Sequence, residues 1–273
     1  MTTEDVGWVR AHTDDEETWD SPTTPVQQID IAVHTHYLRE YLQPEMRVLE
    51  MGAGAGRFTQ VIAGVTRHSV VADRSSAKLA LNQRNAQALG YVDAIEAWCE
   101  CDMIDLRGDF GDDEFDAVVC LGGPLSYAFD RREKAIGELY RVTKPGGLLI
   151  LSARSLFGAL HQDLPRILNI DPRINREIIE TGNLGPAQVA LATRYWHAYR
   201  ADEFRAFVEQ TGARVLLMSA SNCLSSTWGD VIASWQTDAR RWSHLIELEL
   251  VASREPGCLD MGAHILAIAR KPA

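Results

Sequence analysis

The segment Val48-Leu49-Glu50-Met51-Gly52-Ala53-Gly54-Ala55-Gly56-Arg57-Phe58-Thr59 constrains this chain more than any other. An alkyl pair reads as a short buried strand, an acid stands at its carboxyl end, and glycines follow at alternate positions. Glycine tolerates the positive φ of a sharp turn, and its missing side chain lets a ligand lie directly on the main chain. A helix from about Arg57 to Ala63 would then direct its first amides at the polar end of that ligand. A tight strand-to-helix turn with no ligand is the plainer alternative. The dinucleotide fingerprint G-x-G-x-x-G is not met, because the position of its third glycine holds Arg57. That spacing disfavours a nicotinamide oxidoreductase.

The surrounding pattern alternates. A helix starts at Thr24-Pro25-Val26-Gln27, with a threonine cap, proline at its first position and glutamine completing a capping box. Val26, Ile29, Val33, Tyr37 and Tyr41 recur at helical spacing before Pro44. Strands are expected at Ser69 to Ala72, Ala94 to Cys99, Phe115 to Leu121 and Leu148 to Leu151, with helices from Ser76 to Leu89 and from about Asp130. Gly90 would end the first of these helices. Lys144-Pro145-Gly146-Gly147 reads as a turn before the fifth strand. Nearly all-apolar strands separated by helices predict a doubly wound α/β fold, its parallel sheet covered on both faces.

From Ser155 to Trp196 the rhythm breaks. This stretch is too long for a loop in a compact domain, and helices are expected at His161 to Leu168 and Asn175 to Thr181. Alternation resumes with a helix near Asp202 to Gln210, a strand Arg214 to Met218, a helical stretch Trp228 to Glu249 and a strand Ala263 to Ala269. The last two strands read as an antiparallel pair. The expected organisation is an N-terminal arm and helix (1–44) and a main domain (45–273) with a substrate-lid insertion at 155–197. The arm from Met1 to Thr23 would lie over the body, anchored by Trp8 and Trp19, and deleting it would weaken ligand binding.

Composition excludes some partners. The formal net charge is -11 and no dense basic run exists, so a nucleic-acid backbone is a poor partner. No apolar run approaches the ~20 residues of a membrane span, and the acidic first residues do not read as a secretion signal. A cytoplasmic address is expected. Five cysteines at irregular spacing read as free thiols, and Cys99-x-Cys101 lacks a second pair at zinc spacing. His34 and His36 would diverge on a helix, so no metal site is expected.

Acids fall at the carboxyl ends of three successive strands: Glu50, Asp73 and, just after the third, Asp102. In an open sheet these ends form the ligand crevice at the topological switch point. With E-x-G-x-G-x-G and Lys144-Pro145-Gly146-Gly147, this set resembles the class I S-adenosylmethionine-dependent methyltransferases, closely over Val48 to Leu151 and loosely over the final strands. The resemblance implies a mostly parallel seven-stranded, Rossmann-like sheet with an antiparallel last strand, and S-adenosyl-L-methionine as cofactor. It implies a cofactor site of Glu50, Gly52, Ala53, Gly54, Gly56, Asp73, Arg74, Asp102, Met103, Leu121 and Gly122. Asp73 would take both ribose hydroxyls, and Asp102 with the Met103 amide would read the adenine. The glycine turn would back the methionine part. Glu50 would lie near the ammonium group, usually through water, and the Leu121 carbonyl would accept from it directly.

The function implied is methyl transfer to a small molecule. Gly122-Gly123-Pro124-Leu125 stands where methyltransferases acting on adenine, cytosine or glutamine amino groups carry Asn/Asp-Pro-Pro-aromatic, which with the acidic charge points away from nucleic acid. A non-catalytic cofactor-binding or regulatory protein on the same fold is the alternative. Tyr127, His161, Tyr195 and His197 are the candidates for a general base, and none is singled out. The acceptor stays unidentified, and apolar surface on the insertion would suit a homodimer.

Overall fold

In the computed structural model, the residues described are 23–185 and 195–273. The expected anchors Trp8 and Trp19 lie outside them. The chain forms two compact units. His34–Ser152, Arg205–Met218 and Leu266–Ala273 make up one, and the described parts of Met1–Val33, Ala153–Phe204 and Ser219–Ile265 the other.

The elements in chain order begin with α1 (Pro25–Tyr41), β1 (Val48–Met51), α2 (Thr59–Ala63), β2 (Ser69–Asp73), α3 (Ser76–Leu89) and β3 (Ile95–Glu100). There follow β4 (Phe115–Cys120), α4 (Pro124–Tyr127), α5 (Arg132–Val142) and β5 (Thr143–Arg154). The order across the seven-stranded sheet, β3-β2-β1-β4-β5 and then the last two strands of the chain reversed, is that of a doubly wound fold with antiparallel strands near its end. β1 lies parallel to β2 on one side and to β4 on the other, with Glu50 beside Val71 and Val119. The chain therefore switches direction across the sheet at β1, which places the crevice at the carboxyl ends of β1 and β4. Val48, Leu49, Val71, Val118, Leu149 and Ile150 are all fully buried, as a strand covered on both faces requires.

Local chemistry sets the helix ends. Thr24 and Gln27 form the reciprocal capping box, Thr24 N donating to Gln27 Oε1 (2.8 Å) and Gln27 N to Thr24 Oγ1 (3.2 Å). Ser75 Oγ accepts from Lys78 N to start α3, and Gly90 ends it in the left-handed conformation at φ 75°. Within α5, Glu138 binds Arg141 through both carboxylate oxygens (2.8 and 3.0 Å) and also accepts from the Leu106 amide (2.9 Å). Arg141 holds the Glu138 carboxyl below its ordinary range.

Three expectations are corrected. Lys144 to Gly147 is not a turn ahead of the fifth strand, because β5 already begins at Thr143. The register jumps from Phe115 beside Thr143 to Ala117 beside Leu148, so these residues form a bulge inside the pairing. Lys144 Nζ holds the bulge to Asp116 Oδ1 at 2.7 Å.

In the second unit the insertion has helices α6 (Leu156–Gln162), α7 (Leu164–Ile167) and α8 (Pro172–Thr181), not a single helix across His161 to Leu168. Ser155 Oγ caps α6 through Gly158 N (3.1 Å), and Pro165 lacks the N–H that would bond the His161 carbonyl and carry α6 onward. The insertion also holds an antiparallel strand pair that the pattern did not announce, β6 (Asn183–Leu184) with β7 (Trp196–His197). Leu156, Ile170, Ile178, Leu184 and Ala198 form its small core.

After α9 (Ala201–Glu209) and β8 (Arg214–Ala220), the stretch expected to be one helix is two, α10 (Gly229–Ala233) and α11 (Ala239–Ala252). Asp238 restarts it by accepting from Arg241 N at 3.1 Å. β9 (His264–Arg270) completes the sheet between β5 and β8.

Candidate functional site

The glycine turn makes three different demands on its three glycines. Gly52, at φ 73°, faces Pro124, whose Cγ would stand 2.6 Å from an added Cβ, so the loop after β4 seats directly on the turn. Gly56, at φ 102°, faces the Asn82 side chain at 3.1 Å. Gly54, at φ 55°, faces open space, with nothing within 4 Å of an added Cβ. The first and third glycines are thus required by packing, while the middle one leaves a bare main-chain surface. The Met103 Cε lies 3.9 Å from the Cβ position of Gly52, which brings the segment after β3 to the same turn.

Asp73 ends β2 and is buried. Gly54 N donates to its Oδ2 and Ser75 N to its Oδ1, both at 2.9 Å. These two amides fix the carboxylate plane and still leave each oxygen a lone pair for an incoming hydroxyl. Asp102 is exposed, with its Oδ1 accepting from Ile104 N at 3.2 Å. Leu121 is buried at the end of β4; beside it Gly122 takes φ 81° and donates its N–H to Ser152 Oγ at 2.9 Å. Ala53 is half-buried, its N–H taken by the Ala72 carbonyl, and Arg74 is exposed.

Glu50 is buried at the centre. Burial, with a smaller contribution from the Asp73 charge, raises its carboxyl to about 8 against the opposing hydrogen bond from Thr59. Thr59 Oγ1 donates to Glu50 Oε2 at 2.5 Å, Asn82 Nδ2 to Thr59 Oγ1 at 2.9 Å, and Trp98 Nε1 to Asn82 Oδ1 at 3.2 Å. A second asparagine, Asn85, holds the turn from outside by donating to the Ala55 carbonyl at 2.9 Å.

The helix expected at Arg57 starts only at Thr59 and runs five residues, and its first residue is turned inward to Glu50. Its N-terminus is therefore no anion cradle. Asp73 is the carboxylate bonded to the turn, and its charge would repel a pyrophosphate.

Sequence reasoning missed Thr59, Asn82, Trp98, Pro124 and Ser152. Asn82 alone had left a signal, a polar residue on the stripe of α3 that buries Leu79 and Ala86.

The base candidates divide. His197 is buried with both ring nitrogens engaged, Nδ1 by Asn183 Oδ1 (2.8 Å) and Nε2 by Glu203 Oε1 (2.6 Å), a structural arrangement within the insertion unit. His161 is exposed, with Nδ1 3.3 Å from Ser226 Oγ, and Tyr195 is exposed. His34 is buried against Phe58 while His36 pairs with Glu40 at the surface, so the two diverge. All five thiols are free.

Comparison with known proteins fits this geometry. Residues 48–147 match the family model of a methyltransferase domain. A ubiquinone/menaquinone biosynthesis C-methyltransferase of Haemophilus ducreyi is 31% identical over 171 residues, 56% of this chain and 63% of its own. A demethylmenaquinone methyltransferase of Clavibacter sepedonicus is 34% identical over 105 residues, 38% of this chain and 40% of its own. The chain thus spans less than two thirds of either relative.

The solved structure of an S-adenosylmethionine-dependent methyltransferase from Methanosarcina mazei superposes with a TM-score of 0.58, over 86% of this chain and 97% of that one. At 18% identity this is a likeness of fold. Residues 48–147 thus match a methyltransferase domain, carried on the fold of S-adenosylmethionine-dependent methyltransferases, a likeness that implies S-adenosyl-L-methionine as cofactor.

Proposed function

We propose that this chain transfers the methyl group of S-adenosyl-L-methionine to a small-molecule acceptor. The observation that carries the reading is the bare face of Gly54 beside a carboxylate, Asp73, that the Gly54 amide itself holds in place. In this reading Asp73 accepts both ribose hydroxyls, and Asp102 with the Met103 amide takes the adenine edge. Gly52, Ala53, Gly54 and Gly56 shape the wall for the methionine part, with Arg74 at its rim. Glu50 and the Leu121 carbonyl, next to Gly122, face the ammonium.

The bound cofactor supplies an electrophilic sulfonium methyl. The task left to the protein is to align an acceptor in line with that methyl and exclude water, which is worth on the order of 7 kcal/mol or more. No residue is assigned as general base.

The acceptor's selection falls, in this proposal, to the 155–197 insertion, within the 45–273 domain that follows the 1–44 arm and helix. Its own apolar core and its exposed Leu164, Leu168 and Ile179 support that role. The same exposed side chains would serve a homodimer, which light scattering would detect. Among the described residues no helix is long and apolar enough to cross a membrane, and we place the protein in the cytoplasm.

Calorimetric titration with S-adenosylhomocysteine tests the reading, with Asp73→Ala as control. Micromolar binding lost in Asp73→Ala is the expected result; no binding by the wild type would overturn it. Binding without turnover on any small-molecule acceptor would favour the non-catalytic alternative.

A further inference from the structure

The hydrogen bonds beneath the glycine turn run in one direction only, and Trp98 sets that direction. An indole N–H donates and cannot accept. Trp98 Nε1 therefore requires an acceptor, which fixes Oδ1 of Asn82 toward it and turns Asn82 Nδ2 toward Thr59 Oγ1. Nδ2 can only donate, so Thr59 Oγ1 accepts and its own proton points onward to Glu50 Oε2. Asn82 and Thr59 are both fully buried, so neither can exchange these partners for bulk water. The same Asn82 nitrogen lies 3.4 Å from the Gly54 carbonyl, and its side chain packs against Gly56, which ties the chain to the turn itself. Three elements far apart in sequence, β3, α3 and α2, thus converge on one carboxylate oxygen of β1.

We infer that Thr59, Asn82 and Trp98 are positioning residues which hold Glu50 Oε2 as an acceptor and so present Oε1 to the ammonium group of the cofactor. This rests on the cofactor reading above. The groups that face Glu50 explain why such a device is needed. Asp73 at the end of β2 adds a like charge, while Tyr91 after α3 and Cys120 in β4 are neutral, each pushed up to about 12, chiefly by burial. The Tyr91 hydroxyl is itself buried with no hydrogen-bond partner among the described residues, so it gives the carboxylate no help. Burial of Glu50 favours its protonated form, and the Thr59 hydroxyl is the hydrogen bond that opposes this. Losing that hydroxyl raises the pH at which Glu50 ionises, and the carboxylate that meets an ammonium becomes scarcer at neutral pH.

The test compares Thr59→Val with Thr59→Ser in the full chain, titrating S-adenosylhomocysteine by calorimetry between pH 6 and 9. Valine keeps the shape and loses the hydroxyl; serine keeps the hydroxyl and loses a methyl. The ratio of each variant's Kd to the wild type's cancels the ligand's own titration. Thr59→Ser is expected within about twofold of wild type, and Thr59→Val about tenfold weaker at pH 7, the ratio shrinking as pH rises above about 8. Trp98→Phe, which keeps a ring and removes the N–H, should move the same way by a few-fold. A role in packing alone predicts the reverse order, with valine the better substitute. Thr59→Val at wild-type affinity, or a Kd ratio that does not change with pH, overturns the inference while the cofactor reading stands. Failure of the wild type to bind overturns both.

Discussion

Replacing Glu50 by glutamine should stabilise the ligand-free protein, and by an amount that depends on pH in a specified way. Burial holds the Glu50 carboxyl at about 8, against an ordinary 4.5. The folded chain therefore binds more protons than the unfolded chain between those two values. Stability must fall as pH rises through this window and level off above it. The gap of roughly 3.5 units corresponds to on the order of 5 kcal/mol above pH 8, and to about 3 kcal/mol at pH 7.

Glutamine is neutral throughout and can still accept from Thr59, so Glu50→Gln escapes this loss. Its new N–H groups need acceptors, a cost that does not vary with pH. The slope is therefore the diagnostic. Urea unfolding of both proteins at pH 5, 7 and 9, without ligand, should show the variant gaining on the wild type from pH 5 to about 8 and holding steady beyond. A stability difference that is the same at all three values would refute the argument that Glu50 is buried uncompensated. The same variant should bind S-adenosylhomocysteine more weakly, the usual opposition of stability and function at a binding site.

Alanine at Gly52 and at Gly54 should separate packing from ligand contact. Both positions have positive φ, which costs about 1 kcal/mol for alanine, but only Gly52 would also drive its Cβ into Pro124. Gly52→Ala is expected to lose more stability in denaturant unfolding, while Gly54→Ala should fold nearly as well and bind S-adenosylhomocysteine poorly. Equal losses of stability in the two would contradict the distinction. Glu138→Gln should cost about 2 kcal/mol, because it takes the two-oxygen carboxylate from the Arg141 guanidinium, only 12% exposed, which keeps Asp112 Oδ1 at 2.7 Å and the Phe110 carbonyl. A midpoint shift in urea that stays negligible would show that pair to be dispensable.

The sequence by itself determined whatever local chemistry governs. The apolar runs of β1 to β5, the capping box at Thr24 and Gln27, the terminator Gly90 and the glycine turn were all legible, because backbone sterics and short-range hydrogen bonds act within a few residues. The acids Glu50, Asp73 and Asp102 were legible as a set, since strand order in a doubly wound sheet brings carboxyl ends together. Tertiary structure alone decided what those residues do to one another. Residues 16 positions apart meet when Trp98 donates to Asn82, and Gly54 and Asp73 are 19 apart. No periodicity encodes such a pairing. The β6–β7 strand pair is too short to show alternation, and the bulge at Lys144 to Gly147 is defined by the pairing of β5 with β4, across which Lys144 meets Asp116. The ionisation of Glu50 belongs to the same class, for it follows from burial, and burial is a property of the assembled fold.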